Sequence, residues 1–175
     1  MSNWEKIFKP IVVLCVICVV ITGALAATNE ATAPVIEAAR IEAERLARAE
    51  LLPDADDFTQ ENVSVTNVAS VYTANNGVGT IVTSRAKGYG GNVVVMTAFN
   101  PDGTIKQIKV TEQAETKGIG SKVVDTPAYW DRYMGQQADD ALVLNQDIDA
   151  ESGATISSKA LLNAVNAAIE AYNQI

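Results

Sequence analysis

The longest apolar stretch lies near the start of the chain. Ile11–Ala27, IVVLCVICVVITGALAA, is 17 residues without a charge. As a helix rising about 1.5 Å per residue it falls somewhat short of the roughly 30 Å of bilayer hydrocarbon. Adding Ile7 and Phe8, with Lys9 reaching back to the headgroups, closes the gap. Residues 28–52 follow a different pattern: Ala, Glu and Arg dominate, and Val35, Ile36, Ala39, Ala43, Leu46 and Ala47 recur at helical spacing. The pattern predicts a juxtamembrane helix with Thr32 as its N-cap and Pro34 inside its first turn, ending at Leu51-Leu52-Pro53. Arg40–Glu44 and Glu44–Arg48 are spaced to pair across one turn of a solvated face.

From Val63 the period shortens to that of strands. Val63–Thr73 alternates, Asn75-Asn76-Gly77 supplies a turn, and Gly79–Arg85 returns as its hairpin partner. Val93–Phe99 is strongly β-forming, Asn100-Pro101-Asp102-Gly103 is a turn, and Thr104–Val110 alternates again. Pro127–Met134 predicts a helix with Tyr129, Trp130 and Tyr133 on its aromatic side. In Ile156–Asn173 the residues Ile156, Leu161, Leu162, Val165, Ile169 and Tyr172 are expected to form one buried stripe. Strands first and flanking helices afterwards predict an α+β domain with a mainly antiparallel sheet. The expected organisation is a cytoplasmic stub and transmembrane helix over 1–27, a juxtamembrane helix over 28–53 and a globular domain over 54–175.

Charge orients this arrangement. Of the 13 basic and 21 acidic residues, only Glu5, Lys6 and Lys9 fall before residue 28, so a chain of net −8 carries −9 beyond that point. The positive-inside rule puts Met1 in the cytoplasm and the acidic body outside, as a single-pass protein of a cell membrane. A cleaved signal peptide is the rival reading: the basic start, the apolar run and Ala24-Leu25-Ala26 fit it, while the length of the run favours a retained anchor. The acidic body excludes nucleic acid as a partner, since that affinity comes from Lys and Arg on phosphates. The chain has no histidine, which removes Ser-His-Asp triads and His-ligated zinc or haem. No metal site is expected. Cys15 and Cys18 have CxxC spacing but sit in the apolar run; a redox pair or ligands shared with a neighbouring chain is one reading, and small apolar residues of a membrane helix is the favoured one.

Three short segments could carry chemistry. Gly88-Tyr89-Gly90-Gly91 resembles a phosphate-cradling loop but lacks GxGxxG spacing and opens a strand, so a bulge or a close backbone approach explains it equally. Glu115-Thr116-Lys117-Gly118-Ile119-Gly120 follows a strand and can bring backbone N–H groups near a ligand, or can be a turn. Asp149-Ala150-Glu151-Ser152-Gly153-Ala154-Thr155 precedes the final helix, and Ser152, Thr155 and Ser157 place hydroxyls around its N-terminus. Such an end suits a phosphate, and it also suits an ordinary N-cap.

These segments together resemble one family. D-x-x-S-G-A-T at Asp149–Thr155 is similar, residue for residue, to the acceptor motif of the FMN-binding domain family, and Glu115–Gly120 resembles its E-T-P-G-L-G loop. Lys117 stands where that loop has proline, removing a fixed φ and adding a cation able to sit near an anionic reduced flavin. Gly88–Gly91 and the Asn100–Gly103 turn correspond to the family's glycine-rich strand and following turn. With its single N-terminal membrane helix and Leu51-Leu52-Pro53, the chain resembles the family of G subunits of Rnf electron-transport complexes. That family is related to the C subunits of sodium-translocating NADH:quinone reductases.

The resemblance implies FMN joined by a phosphoester to Thr155, with cofactor contacts from Ser152, Gly153, Ala154, Ser157, Glu115, Thr116, Gly118, Ile119, Gly120, Tyr89 and Gly90. Tyr89 or Trp130 would stack on the ring. With no histidine to activate the Thr155 hydroxyl, it implies a separate flavin transferase using FAD and Mg²⁺, with Asp149 in its recognition signature. It also implies partner membrane subunits of an Rnf-type ferredoxin:NAD⁺ oxidoreductase that exports Na⁺ or H⁺, with little activity in this chain alone. An FMN-binding sensor or electron-input domain of another extracytoplasmic reductase is the alternative; it usually needs further domains, for which 175 residues leave no space.

Overall fold

A computed structural model describes residues 8–175. Met1, Glu5, Lys6 and Ile7, used above for charge and span length, lie outside the described residues. The chain divides into two compact units, one ending at Ala43 and the other Glu44–Ile175.

Helix α1 is Lys9–Leu51. Its residues up to Ala43 belong to the first unit and are exposed almost throughout, and among the described residues α1 is the helix long and apolar enough to cross a membrane. Thr32 is not an N-cap, contrary to expectation. It lies inside α1, where its hydroxyl donates to Thr28 O at 2.9 Å, just as Thr28 donates to Ala24 O at 2.9 Å. Pro34 is also internal. Proline removes one ladder hydrogen bond, but the alanine-rich sequence on both sides is strongly helical, and the threonine hydroxyls bond backwards along the helix instead of ending it.

The second unit is built on a five-stranded sheet in which every strand is antiparallel to its neighbour: β1 (Phe58–Glu61), β2 (Val68–Ala74), β3 (Thr80–Lys87), β4 (Asn92–Phe99) and β5 (Ile105–Glu112), in that spatial order. The turns fall at the expected glycines. Gly77 (φ +73°) closes β2–β3 and Gly103 (φ +82°) closes β4–β5, both in the left-handed region that glycine enters without penalty. Asp102 accepts from the Thr104 N–H and hydroxyl at 3.0 and 2.6 Å, which pins the second turn and holds its carboxyl below the usual value. β2 begins at Val68, later than the alternation from Val63 suggests, because Asn67 turns the chain at φ +69°. β1 and the short helix α2 (Ser121–Val124) have no counterpart among the elements expected from sequence. The aromatic segment forms α3 (Pro127–Trp130) and a 3₁₀ turn at Asp131–Tyr133.

The final helix, α4 (Thr155–Tyr172), covers one sheet face. Leu161, Leu162, Val165 and Ile169 meet Val82, Val93, Val95 and Phe99 there, and Tyr172 stacks on Phe99 at 4.6 Å. The Ser84 hydroxyl donates to Ala164 O at 2.7 Å and so keys the helix to β3. Ala47, Leu51 and Leu52 cover the other face over Ile81, Met96 and Ala98. Each fully buried leucine of this kind is worth roughly 1.5–3 kcal/mol. Ile156 departs from its expected place in the buried stripe: it is exposed. Lying five positions before Leu161, it sits about 140° around the helix from it.

Candidate functional site

Three segments converge at one end of the second unit: the β3–β4 loop, the loop after β5, and the N-terminus of α4. They enclose a cavity of about 520 Å³, within the range of cofactor sites. Its lining is Tyr89, Glu115, Thr116, Ile119, Gly120, Gly153, Ala154, Thr155, Ile156 and Ser157. All but Ile156 are residues singled out by sequence. The hydrophobic stripe groups Ile156 with the core, although its angular offset from Leu161 is there to be read.

The loop after β5 is held from within. Thr116 O accepts from Ile119 N at 3.2 Å and Ser121 N at 3.3 Å, and Gly118 N donates to Ser121 Oγ at 2.8 Å with Gly118 at φ +79°. Gln113 Oε1 accepts from Glu115 N at 2.6 Å. Ser121 and Gln113 carry no motif, and nothing in the sequence marks them. Glu115 is buried and joins all three segments: Oε1 accepts from Gly90 N at 3.2 Å, and Oε2 accepts from Ser157 Oγ at 2.6 Å. The glycines of Gly88–Gly91 therefore serve a close approach, and their loop is folded around a carboxylate.

At α4 the Ala154 residue takes the N-cap position, with no side-chain cap. The first helical bond runs from Ser158 N to Ala154 O at 2.9 Å, so the N–H groups of Thr155, Ile156 and Ser157 precede the ladder. Gly153 (φ +79°) turns the chain into the helix, Ala154 N donates to Glu151 O, and Glu151 N donates to Ser158 Oγ. Thr155 is exposed at the cavity. Ser152 and Asp149 are exposed on the approach to the helix, outside the lining. The Asp149 carbonyl accepts from Tyr129 OH at 2.9 Å and Arg132 Nη1 at 3.0 Å, anchoring the segment. Burial pushes the Tyr129 phenol above its usual value and the Tyr133 phenol further still.

Gly90 and Gly118 support the walls without lining them, and Lys117 is exposed outside the lining. Trp130 corrects the expected ring-stacking alternatives. Its indole N–H donates to Val123 O at 2.9 Å, and it lines a separate recess with Pro127 and Met134. Packing against α2 claims the ring, and Tyr89 is the aromatic at the cavity.

The residues fit FMN. A negatively charged phosphate suits the uncapped N–H groups of α4. Tyr89, Ile119 and Ile156, large apolar side chains left exposed, offer a wall for a flat ring. An antiparallel sheet backed by a C-terminal helix, with such a cavity at the helix start, defines an FMN-binding domain, and residues 88–170 match the FMN-binding domain family. The chain is 34% identical to the G subunit of the Na⁺-translocating ferredoxin:NAD⁺ oxidoreductase complex of Acetobacterium woodii, over 99% of this chain and 95% of that protein. It is 31% identical to the G subunit of the ion-translocating oxidoreductase complex of Methanosarcina acetivorans, over 97% and 96%. The crystal structure of Shewanella oneidensis NqrC shares the fold with a TM-score of 0.50 and 28% identity, covering 60% of this chain and 58% of that one. The chain belongs to the family of G subunits of ion-translocating oxidoreductase complexes.

Proposed function

We infer that the protein is a membrane-anchored electron carrier of such a complex, working through FMN attached by a phosphoester to Thr155. One observation carries this reading: an exposed threonine stands on the first turn of an uncapped helix, in the lining of a cavity with apolar side chains. The N–H groups of Thr155, Ile156 and Ser157 favour the phosphate there. Tyr89, Ile119 and Ile156 would hold the ring, Thr116 and Gly120 line the same cavity, and the small residues Gly153 and Ala154 leave the backbone open. When bound, the flavin supplies one- and two-electron transfer. The cavity has no catalytic constellation of its own, and the chain alone is expected to show little activity.

Attachment requires another enzyme. Thr155 has no histidine to take its proton, so a flavin transferase acting on FAD with Mg²⁺ would form the Thr155 Oγ–phosphorus bond and release AMP. Asp149 belongs to its recognition sequence, and the anchored Asp149 carbonyl keeps that segment in place. The names of the relatives support a place for this chain between ferredoxin and NAD⁺, coupled to ion export. Lys9 before the apolar run and the acidic body after it favour an extracytoplasmic flavin domain. There a covalent tether prevents loss of the cofactor.

The test is in-gel fluorescence of the denatured chain after coproduction with a flavin transferase. A fluorescent band at the mass of this chain is expected. Flavin that leaves entirely on denaturation would contradict the covalent link.

A further inference from the structure

We propose that the buried carboxylate of Glu115 sets the reduction potential of the flavin, holding it low by a fixed negative charge in the cavity wall. The proposal rests on the reading above and adds a role for one residue.

Glu115 is the only charged side chain buried among the described residues, and it lines the cavity. Its hydrogen-bond partners are a backbone amide and a hydroxyl, Gly90 N and Ser157 Oγ, so neither neutralises it with a full charge. Burying a carboxylate in this way is costly. The chain nevertheless gives up side chains to seat it. A Cβ on Gly88 would lie 2.2 Å from Oε1, and one on Gly120 would lie 2.6 Å from Oε2. A mere strut between loop and helix could be a glutamine, whose carbonyl would accept from Gly90 N–H and whose amide would donate to Ser157 Oγ, at far lower desolvation cost. What glutamine lacks is the charge. Lys117, on the same loop, is exposed to solvent and screened. A negative charge beside a group that gains electrons opposes the gain, and in a cavity wall that opposition is weakly screened. The Ser157 hydroxyl proton offsets part of it.

Two variants with opposite expected signs separate charge from structure. Both are made in the full-length chain, coproduced with a flavin transferase, purified in detergent and titrated potentiometrically through the flavin's visible absorbance. Glu115→Gln keeps an acceptor for Gly90 N–H and removes the charge. Its reduction equilibrium should shift at least tenfold toward the reduced form, about 30 mV upward for a two-electron couple. Ser157→Ala leaves the charge and removes the offsetting proton, so its potential should fall. An unchanged or lower potential in Glu115→Gln overturns the proposal. So does an unchanged or higher potential in Ser157→Ala, which also decides the matter if Glu115→Gln does not fold. Equal potentials in flavin-loaded wild type and Glu115→Gln refute this inference alone; a wild-type chain without flavin refutes the phosphoester reading and this one with it.

Discussion

At the scale of single residues, hydroxyls that look alike in sequence occupy different places. Ser152, Thr155 and Ser157 crowd one helix start, yet Ser157 is buried against Glu115, Ser152 lies on the approach, and Thr155 is the exposed hydroxyl on the first turn. Because Ala154 already occupies the cap position, Thr155→Ala should change stability by no more than about 0.5 kcal/mol. It should abolish covalent flavin all the same. Ser152→Ala should retain it, and in-gel fluorescence of the pair checks both. Tyr133 gives an independent expectation. Its buried hydroxyl has no hydrogen-bond partner among the described residues, so Tyr133→Phe should leave the urea midpoint unchanged or raise it; a loss above about 1 kcal/mol would contradict the packing described. Burial, the largest cause, raises both the Tyr129 and Tyr133 phenols above the ordinary 10.0. The fold therefore favours the neutral phenols, and the stability they contribute is intact below pH 10 and lost as pH climbs beyond it. Alkaline denaturation monitored by circular dichroism should show that loss, and Tyr133→Phe should reduce it.

At the scale of elements, close backbone approach governs the site. A Cβ at Gly90 would stand 1.9 Å from the Ala114 carbonyl oxygen, a backbone atom that cannot swing aside. Gly90→Ala should destabilise the domain by roughly 1–3 kcal/mol. Gly118→Ala meets open space and suffers only its φ of +79°, costing about 1 kcal/mol. Urea denaturation of the two variants should rank them in that order. The same distinction between local and distant partners decides what a sequence can show. The hairpins around Gly77 and Gly103 and the helix from Thr155 are legible, because turn residues and a 3.6-residue period act locally. The Gly88–Gly91 loop is visible as unusual but not interpretable, since its reason is a carboxylate 25 residues away from Gly90. Trp130 misleads for the same reason: its partner, the Val123 carbonyl, sits in a helix with no periodic signal. β1, four residues at the sheet edge, is too short for alternation to register. Thr32 and Pro34 illustrate the converse, a local helix-start signal overridden by the helical sequence around it.

At the scale of the whole molecule, the chain combines an apolar helix with an acidic globular unit that has its own core on both sheet faces. Thr22 and Gly23 within the apolar run permit close packing against other helices. Mild detergent extraction should therefore recover the protein in a large assembly, and quantitative recovery as a flavinylated monomer would count against it. A fragment beginning near residue 28 should be soluble, and its net −9 should keep it off anionic vesicles at low salt. Tight vesicle binding would show that the surface docks on lipid instead of partner proteins. The central claim remains the bond at Thr155. Peptide mass spectrometry of the chain coproduced with a flavin transferase tests it most directly: the expected result is the mass of FMN less one water on the peptide containing Thr155, localised to that residue by fragmentation. An adduct on Ser152 or Ser157, or intact covalent flavin in Thr155→Ala, would contradict it.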